Sequence, residues 1–161
     1  MAILQIRTDG DPILHKKSRE VEVFDEKLKR TIDDMYETMY DAEGVGLAAV
    51  QVGKLKRLIV IDDYEGTKIV LINPEVLEEA GESEALEGCL SVPERVGKVK
   101  RFETIKIKYR DPEGEEKTLE AEGFLARIIQ HEMDHLEGIL YTDIAEEMYT
   151  VNDREEAESE A

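Results

Sequence analysis

Gln130-His131-Glu132-Met133-Asp134-His135 is the stretch around which the rest of the chain can be organised. Two histidines four residues apart on a helix differ by about 40° of rotation and one turn of rise, so both imidazoles reach a single ion. Glu132, next to the first of them, is placed to hold a water bound to that ion. The H-E-x-x-H spacing has this meaning only inside a helix, and the flanks supply one. Gly123 opens a segment with apolar Phe124, Leu125, Ile128, Ile129 and Leu136, and Gly138 stands where such a helix should stop. The bland alternative is a pair of partly buried histidines beside a solvated charge. The chain has three histidines, and two of them are here.

Upstream of this helix the pattern reads as one helix followed by several strands. Asp9-Gly10-Asp11-Pro12 is turn chemistry, with Ile13 and Leu14 starting a short packed segment. Asp25 predicts an N-cap for a helix through about Glu43, with Leu28, Ile32, Met35 and Met39 as its apolar stripe and Gly44 after its end. Arg57–Asp62 and Lys68–Ile72 read as buried strands; Asn73-Pro74 should break the second, with Glu75–Ala80 continuing as another. Glu103–Tyr109 alternates with period two, and Asp111-Pro112-Glu113-Gly114 turns it into Lys117–Ala121. The order predicts an α+β fold. Mixed, mostly antiparallel sheets should pack around the C-terminal motif helix, with one N-terminal helix.

Composition excludes several classes of function. At 161 residues the chain is long enough for one domain with a sizeable core. A formal net charge of −18 argues against specific nucleic-acid binding or an anionic membrane surface. No apolar run reaches the roughly 18 residues of a membrane span, and the first residues turn polar too quickly for a signal peptide. A single cysteine allows no intrachain disulfide, which fits a reducing, cytoplasmic setting. Residues 143–161 hold eight acidic side chains and one basic one, a solvating tail by composition. The expected division is therefore a catalytic domain over residues 1–145 and an acidic tail over 146–161.

A catalytic metal site wants three protein ligands and one open position, so a third ligand must be found. A metzincin spacing would need histidine at position 141, where the residue is Tyr141. Glu155 lies at a thermolysin-like distance but in the acidic end, and His15 follows a turn with no supporting pattern. Cys89, in Glu87-Gly88-Cys89-Leu90-Ser91-Val92-Pro93, offers a thiolate whose pKa a metal would itself depress. It is the best third ligand. A second loop, Gly44-Val45-Gly46-Leu47-Ala48-Ala49-Val50-Gln51, combines glycines that let a ligand approach the main chain with an amide at Gln51.

Together these three segments resemble the signature motifs of the peptide deformylases, in order and in spacing. The resemblance extends to Gly53, to Val92-Pro93 and to Leu136-Glu137-Gly138, and covers about Gly10 to Asp143. It implies removal of the N-formyl group from the starting methionine of nascent polypeptides, with formate released. An H-E-x-x-H metalloendopeptidase is the rival reading. The resemblance further implies Fe(II) at Cys89, His131 and His135, replaceable by Ni(II), Co(II) or Zn(II). It gives Glu132 the proton transfers, and the Gln51 side chain and Leu90 N–H the formyl oxygen. Val45 and Gly46 would pair with the substrate main chain. Val45, Phe124, Ile128 and the stem of Arg127 would take the methionine, while Glu87 braces the cysteine segment through Arg101. N-formylmethionyl peptides, and the ribosome near its exit tunnel, are the partners this role implies.

Overall fold

The computed structural model describes residues 2–150. Its first helix, α1 (Glu26–Asp41), starts at Asp25, whose carboxylate accepts the Leu28 N–H at 3.0 Å. Leu28, Ile32, Met35 and Met39 are all buried, so the stripe is core. The helix ends two residues earlier than its glycine suggests. Glu43 takes the left-handed conformation at φ 59°, donating its N–H to Tyr40 O while Gly44 donates to Met39 O at 2.9 Å. This is a Schellman closure with glutamate where glycine is usual. The left-handed conformation costs an L-residue about 1–2 kcal/mol, and glycine gives back part of that in chain entropy. Glu43→Gly should therefore stabilise the protein by about 0.5–1 kcal/mol. A urea midpoint that stays level or falls would show that the Glu43 side chain offsets the strain.

The chain continues through β1 (Gly46–Ala48), a 3-10 turn at Ala49–Val52, β2 (Leu58–Asp62), β3 (Lys68–Ala80), β4 (Ser83–Cys89) and β5 (Val92–Arg101). Then follow β6 (Thr104–Arg110), β7 (Glu116–Glu122), α2 (Gly123–Leu136), the short α3 (Tyr141–Ile144) and β8 (Glu147–Thr150). One sheet has the order β1-β2-β3-β6-β7, the other β4-β5-β8, and neighbouring strands in both are antiparallel. The α+β expectation holds.

The five-stranded sheet separates the two long helices. Ile59, Ile61 and Leu71 face α2, where they meet Ala126, Ile128, Ile129 and Leu136. Leu58, Val60 and Ile72, on the alternate positions, meet Leu28, Ile32, Met35 and Met39 of α1. Period-two alternation between two apolar layers explains why Leu58–Ile61 of β2 are all apolar. Each such side chain contributes about 1.5–3 kcal/mol on burial. In β6 only Ile105, Ile107 and Tyr109 are buried, and the intervening Lys106 and Lys108 are not.

Two expectations are corrected here. Lys68–Ala80 is one strand, not two separated at Asn73-Pro74: a bulge shifts the register between Ile72 and Glu75, with Asn73 at φ 51°. The Asn73 amide completes that bulge by bonding both Val21 N–H and Val21 O, which offsets the N–H that Pro74 lacks. The second correction concerns the expected acidic tail. Its first residues form β8, which pairs with β5 from Arg95↔Thr150 to Lys98↔Glu147. The remainder, 151–161, lies outside the described residues. Among the described residues no helix is long and apolar enough to cross a membrane.

Candidate active site

Helix α2 carries the motif inward. His135 is fully buried, and His131 and Glu132 nearly so, on the side that meets β1 and the end of β4. The helix closes as its sequence suggests: Gly138, at φ 79°, donates to His135 O while Ile139 donates to Asp134 O. Only glycine fits there, because a Cβ would lie 2.5 Å from the His15 carbonyl oxygen.

Cys89 ends β4 and pairs with Val92, so the presumed loop is the tight end of a β-hairpin. That hairpin brings Sγ to 3.4 Å from His135 Nε2. One donor atom each from Cys89, His131 and His135 lies within 4.8 Å of the others. His131 Nδ1 is 2.9 Å from Glu87 Oε1, which fixes the ring and leaves Nε2 for a ligand role. The set fits a divalent cation. Bonds of about 2.0–2.3 Å in a tetrahedron place ligand atoms about 3.6 Å apart, close to the Cys89–His135 separation seen. Burial, and then His131, push His135 well below the ordinary imidazole range; burial would lower His131 too, but its bonds to Cys89 and Glu87 outweigh that and hold it well above.

The carboxylate of Glu132 is buried beside the cluster, and its Oε1 has no hydrogen-bond partner among the described residues. Burial lifts its pKa to about 7, against the opposing pull of His131. Oε2 lies over Gly46, where a Cβ would come within 2.8 Å of it. Gln51 is held by its other end: Oε1 accepts Ala48 N–H at 2.9 Å, which turns the amide NH₂ toward Ser91 Oγ at 3.0 Å and Cys89 Sγ at 3.5 Å. Leu90 is in the turn immediately after the cysteine.

Behind the cluster lies a buried ion-pair network only partly foreseen. Arg101 grips Glu87 at 2.8 and 2.9 Å and also binds Asp134, and Arg127 reaches the same Glu87 carboxylate at 2.6 Å. Burial would raise Glu87, but the bonds to Arg101 and His131 outweigh it and hold the acid well below the carboxylate range. Arg127 also donates to Val99 O and to Ser83 O and Oγ, so its charged head is tied down and its stem is left to the groove. Glu87 is 6% exposed, and its carboxylate is taken up by Arg101, Arg127 and His131. A groove of about 520 Å³ runs past the cluster, and Val45, Gly46, Ile128 and Leu90 are among its walls. Phe124 is not. It sits in the first turn of α2, about half exposed. Ser91 and Tyr141 were missed as supports: Ser91 accepts from Gln51, and the Tyr141 ring stacks on His131 at 5.9 Å between centroids.

Residues 3–150 match the family described as polypeptide deformylase. The chain belongs to the peptide deformylase family. A curated relative, peptide deformylase 1 of Clostridium acetobutylicum, is 57% identical over 143 residues, covering 89% of this chain and 95% of the relative. The crystal structure of peptide deformylase from Thermotoga maritima superposes with a TM-score of 0.87 at 46% identity, over 90% of this chain and 99% of that one. A Met-Ala-Ser-bound class I type b peptide deformylase from Acinetobacter baumannii gives 0.84 at 37% identity, over 88% and 98%. As a peptide deformylase, the chain is a metal-dependent hydrolase that removes the N-formyl group from the terminal methionine of nascent polypeptides. The metalloendopeptidase alternative is not favoured by any of these similarities.

Proposed function

We propose that Cys89, His131 and His135 hold the divalent metal, that it is Fe(II) in the cell, and that Glu132 performs the proton transfers of deformylation. The observation that carries this reading is the convergence of one thiol and two imidazoles within 4.8 Å, next to a buried carboxylate oxygen that has no hydrogen-bond partner among the described residues. The cation, when bound, supplies Lewis acidity toward the formyl oxygen and acidifies the attacking water. Glu132 takes the proton of that water and returns one to the departing methionine nitrogen. The Gln51 Nε2–H and the Leu90 N–H stabilise negative charge on the formyl oxygen. A donor of this kind is typically worth about 10²–10³ in rate.

Peptide recognition follows from the edge of the five-stranded sheet. Val45 and Gly46 lie at the start of β1, an edge strand whose other side pairs with β2. The substrate main chain adds to that edge as a further strand. The methionine side chain enters the apolar end of the groove between Val45, Ile128 and the stem of Arg127. The Acinetobacter baumannii relative was crystallised with Met-Ala-Ser bound, a peptide whose first residue is methionine. The setting is the cytoplasm, on chains leaving the ribosome.

Anaerobically prepared protein, analysed for metal and assayed on formyl-Met-Ala-Ser, tests the proposal. The expected result is iron at one per chain, stoichiometric formate and no cleavage of internal peptide bonds. Full activity in protein stripped of all divalent metal would overturn it.

A further inference from the structure

The groove's peptide-binding edge is held from behind by a residue that lies outside all three signature segments. Tyr64 sits in the turn between β2 and β3, and its hydroxyl donates to the Gly44 carbonyl at 3.0 Å. Gly44 also packs closely on the cysteine hairpin, since a Cβ there would lie 2.7 Å from Leu90 Cδ1. The next residue, Val45, gives its carbonyl to Asp62 N–H at 2.9 Å. The start of the edge is thus suspended between the β2–β3 turn and the hairpin that carries Cys89.

The turn is built to hold Tyr64 in place. Tyr64 is in the left-handed region at φ 57°, a conformation that a bulky residue keeps only where its surroundings over-determine it. Its own N–H is bonded to Asp62 Oδ1 at 2.9 Å, and its ring meets the edge of Tyr40 at 6.3 Å between centroids. Tyr40 is in turn tied to Asp62 through its hydroxyl at 2.8 Å. Nearly buried Asp63 closes the turn by accepting Glu65 N–H and Thr67 N–H. Yet Tyr64 is 59% exposed, so little of this serves burial. What the strained placement achieves is one hydrogen bond at the mouth of the groove.

We infer that Tyr64 is a positioning residue for peptide binding: its hydroxyl fixes the Gly44 carbonyl, and through it the Val45–Gly46 edge along which the substrate main chain lies. The inference rests on the proposed strand-like pairing at that edge. Because Tyr64 touches neither Glu132 nor the cysteine and histidine donors, its loss acts on KM and not on kcat. The effect grows with the length of substrate main chain.

Steady-state kinetics of the metal-loaded wild type and Tyr64→Phe, on formyl-Met-Ala-Ser and on formyl-methionine N-methylamide, test this. The wild type is expected to bind the tripeptide more tightly than the single residue. Tyr64→Phe should raise KM for the tripeptide about three- to tenfold, the loss of one ordinary hydrogen bond, with kcat unchanged. KM for the N-methylamide should stay at the wild-type value, as should the thermal midpoint. Tyr64→Ala should reproduce the tripeptide effect. Unchanged tripeptide KM in Tyr64→Phe, or an equal fall in kcat for both substrates, overturns the role of Tyr64 alone. A wild type that binds both substrates equally removes the edge-pairing reading and this inference with it.

Discussion

Replacing Glu132 by alanine lowers formate release from formyl-Met-Ala-Ser by about 10²–10⁴-fold while the divalent metal stays bound. The carboxylate is not one of the three converging donors, so its removal leaves the thiol and both imidazoles in place. It is, however, placed beside them to accept a proton: Oε1 is buried with no hydrogen-bond partner among the described residues, and Oε2 faces the peptide edge at Gly46. A pKa raised to about 7 by burial gives the group the capacity both to take and to return a proton near neutrality. The same burial costs stability, because a carboxylate withdrawn from water without a full set of partners is unfavourable. The alanine variant should therefore unfold at or above the wild-type temperature even as turnover is lost. Elemental analysis, formate detection and a thermal scan on one preparation separate the possibilities. Wild-type turnover would eliminate Glu132 as the base; loss of metal would place it among the ligands.

Much of this architecture could be read before any coordinates, and the reason is locality. The stripe Leu28, Ile32, Met35 and Met39 and the run Leu58–Ile61 express their burial within one element, through period 3.6 or period two. β4 and β5 do not. Ser83-Glu84-Ala85-Leu86-Glu87-Gly88-Cys89 puts acids on both faces, and one of them, Glu87, is buried only because three partners distant in sequence neutralise it. β5 contains Pro93 and Gly97, each of which argues against a strand by itself. Gly97 is there because α3 and β8 approach it, with Met148, Ala145 and Tyr141 atoms all within 2.9 Å of where a Cβ would stand. No local pattern can show such a contact.

The site divides along the same line. The two histidines and Glu132 declare themselves by spacing within one helix, whereas Cys89 became legible only by elimination and by the resemblance of three segments. Phe124 shares the helical face of His131 in projection, but it stands two turns away along α2 and is not among the residues lining the groove. Arg127 was read by its stem alone, since nothing in the sequence pairs it with a glutamate forty residues earlier. Asp134, inside the motif and unexplained by it, was the available hint that Arg101 has a second acid to bind.

Glu87 is where the metal centre and the stability of the fold meet, and its replacement should damage both. Its carboxylate accepts from Arg101, Arg127 and His131 at once, and Arg101 and Arg127 are both more than nine-tenths buried. In Glu87→Ala two guanidinium groups remain in the interior with less than their complement of charge. Among the described residues Arg101 retains Asp134, and Arg127 retains the neutral acceptors Val99 O and Ser83 O and Oγ. Removing one partner from a buried pair typically costs about 3–5 kcal/mol. His131 also loses the acceptor that fixes its ring, and a lost partner of this kind weakens metal affinity by about 10–100-fold. Glu87→Gln, which keeps the shape and one acceptor but not the charge, should fall between wild type and alanine in both respects and remains measurable if the alanine variant does not fold. Urea unfolding of the metal-loaded protein reports the first effect, and competition with a chelator of known affinity reports the second. A glutamine variant with wild-type stability and wild-type metal affinity would show that Glu87 is a passive filler, with Asp134 sufficient to neutralise the buried arginines.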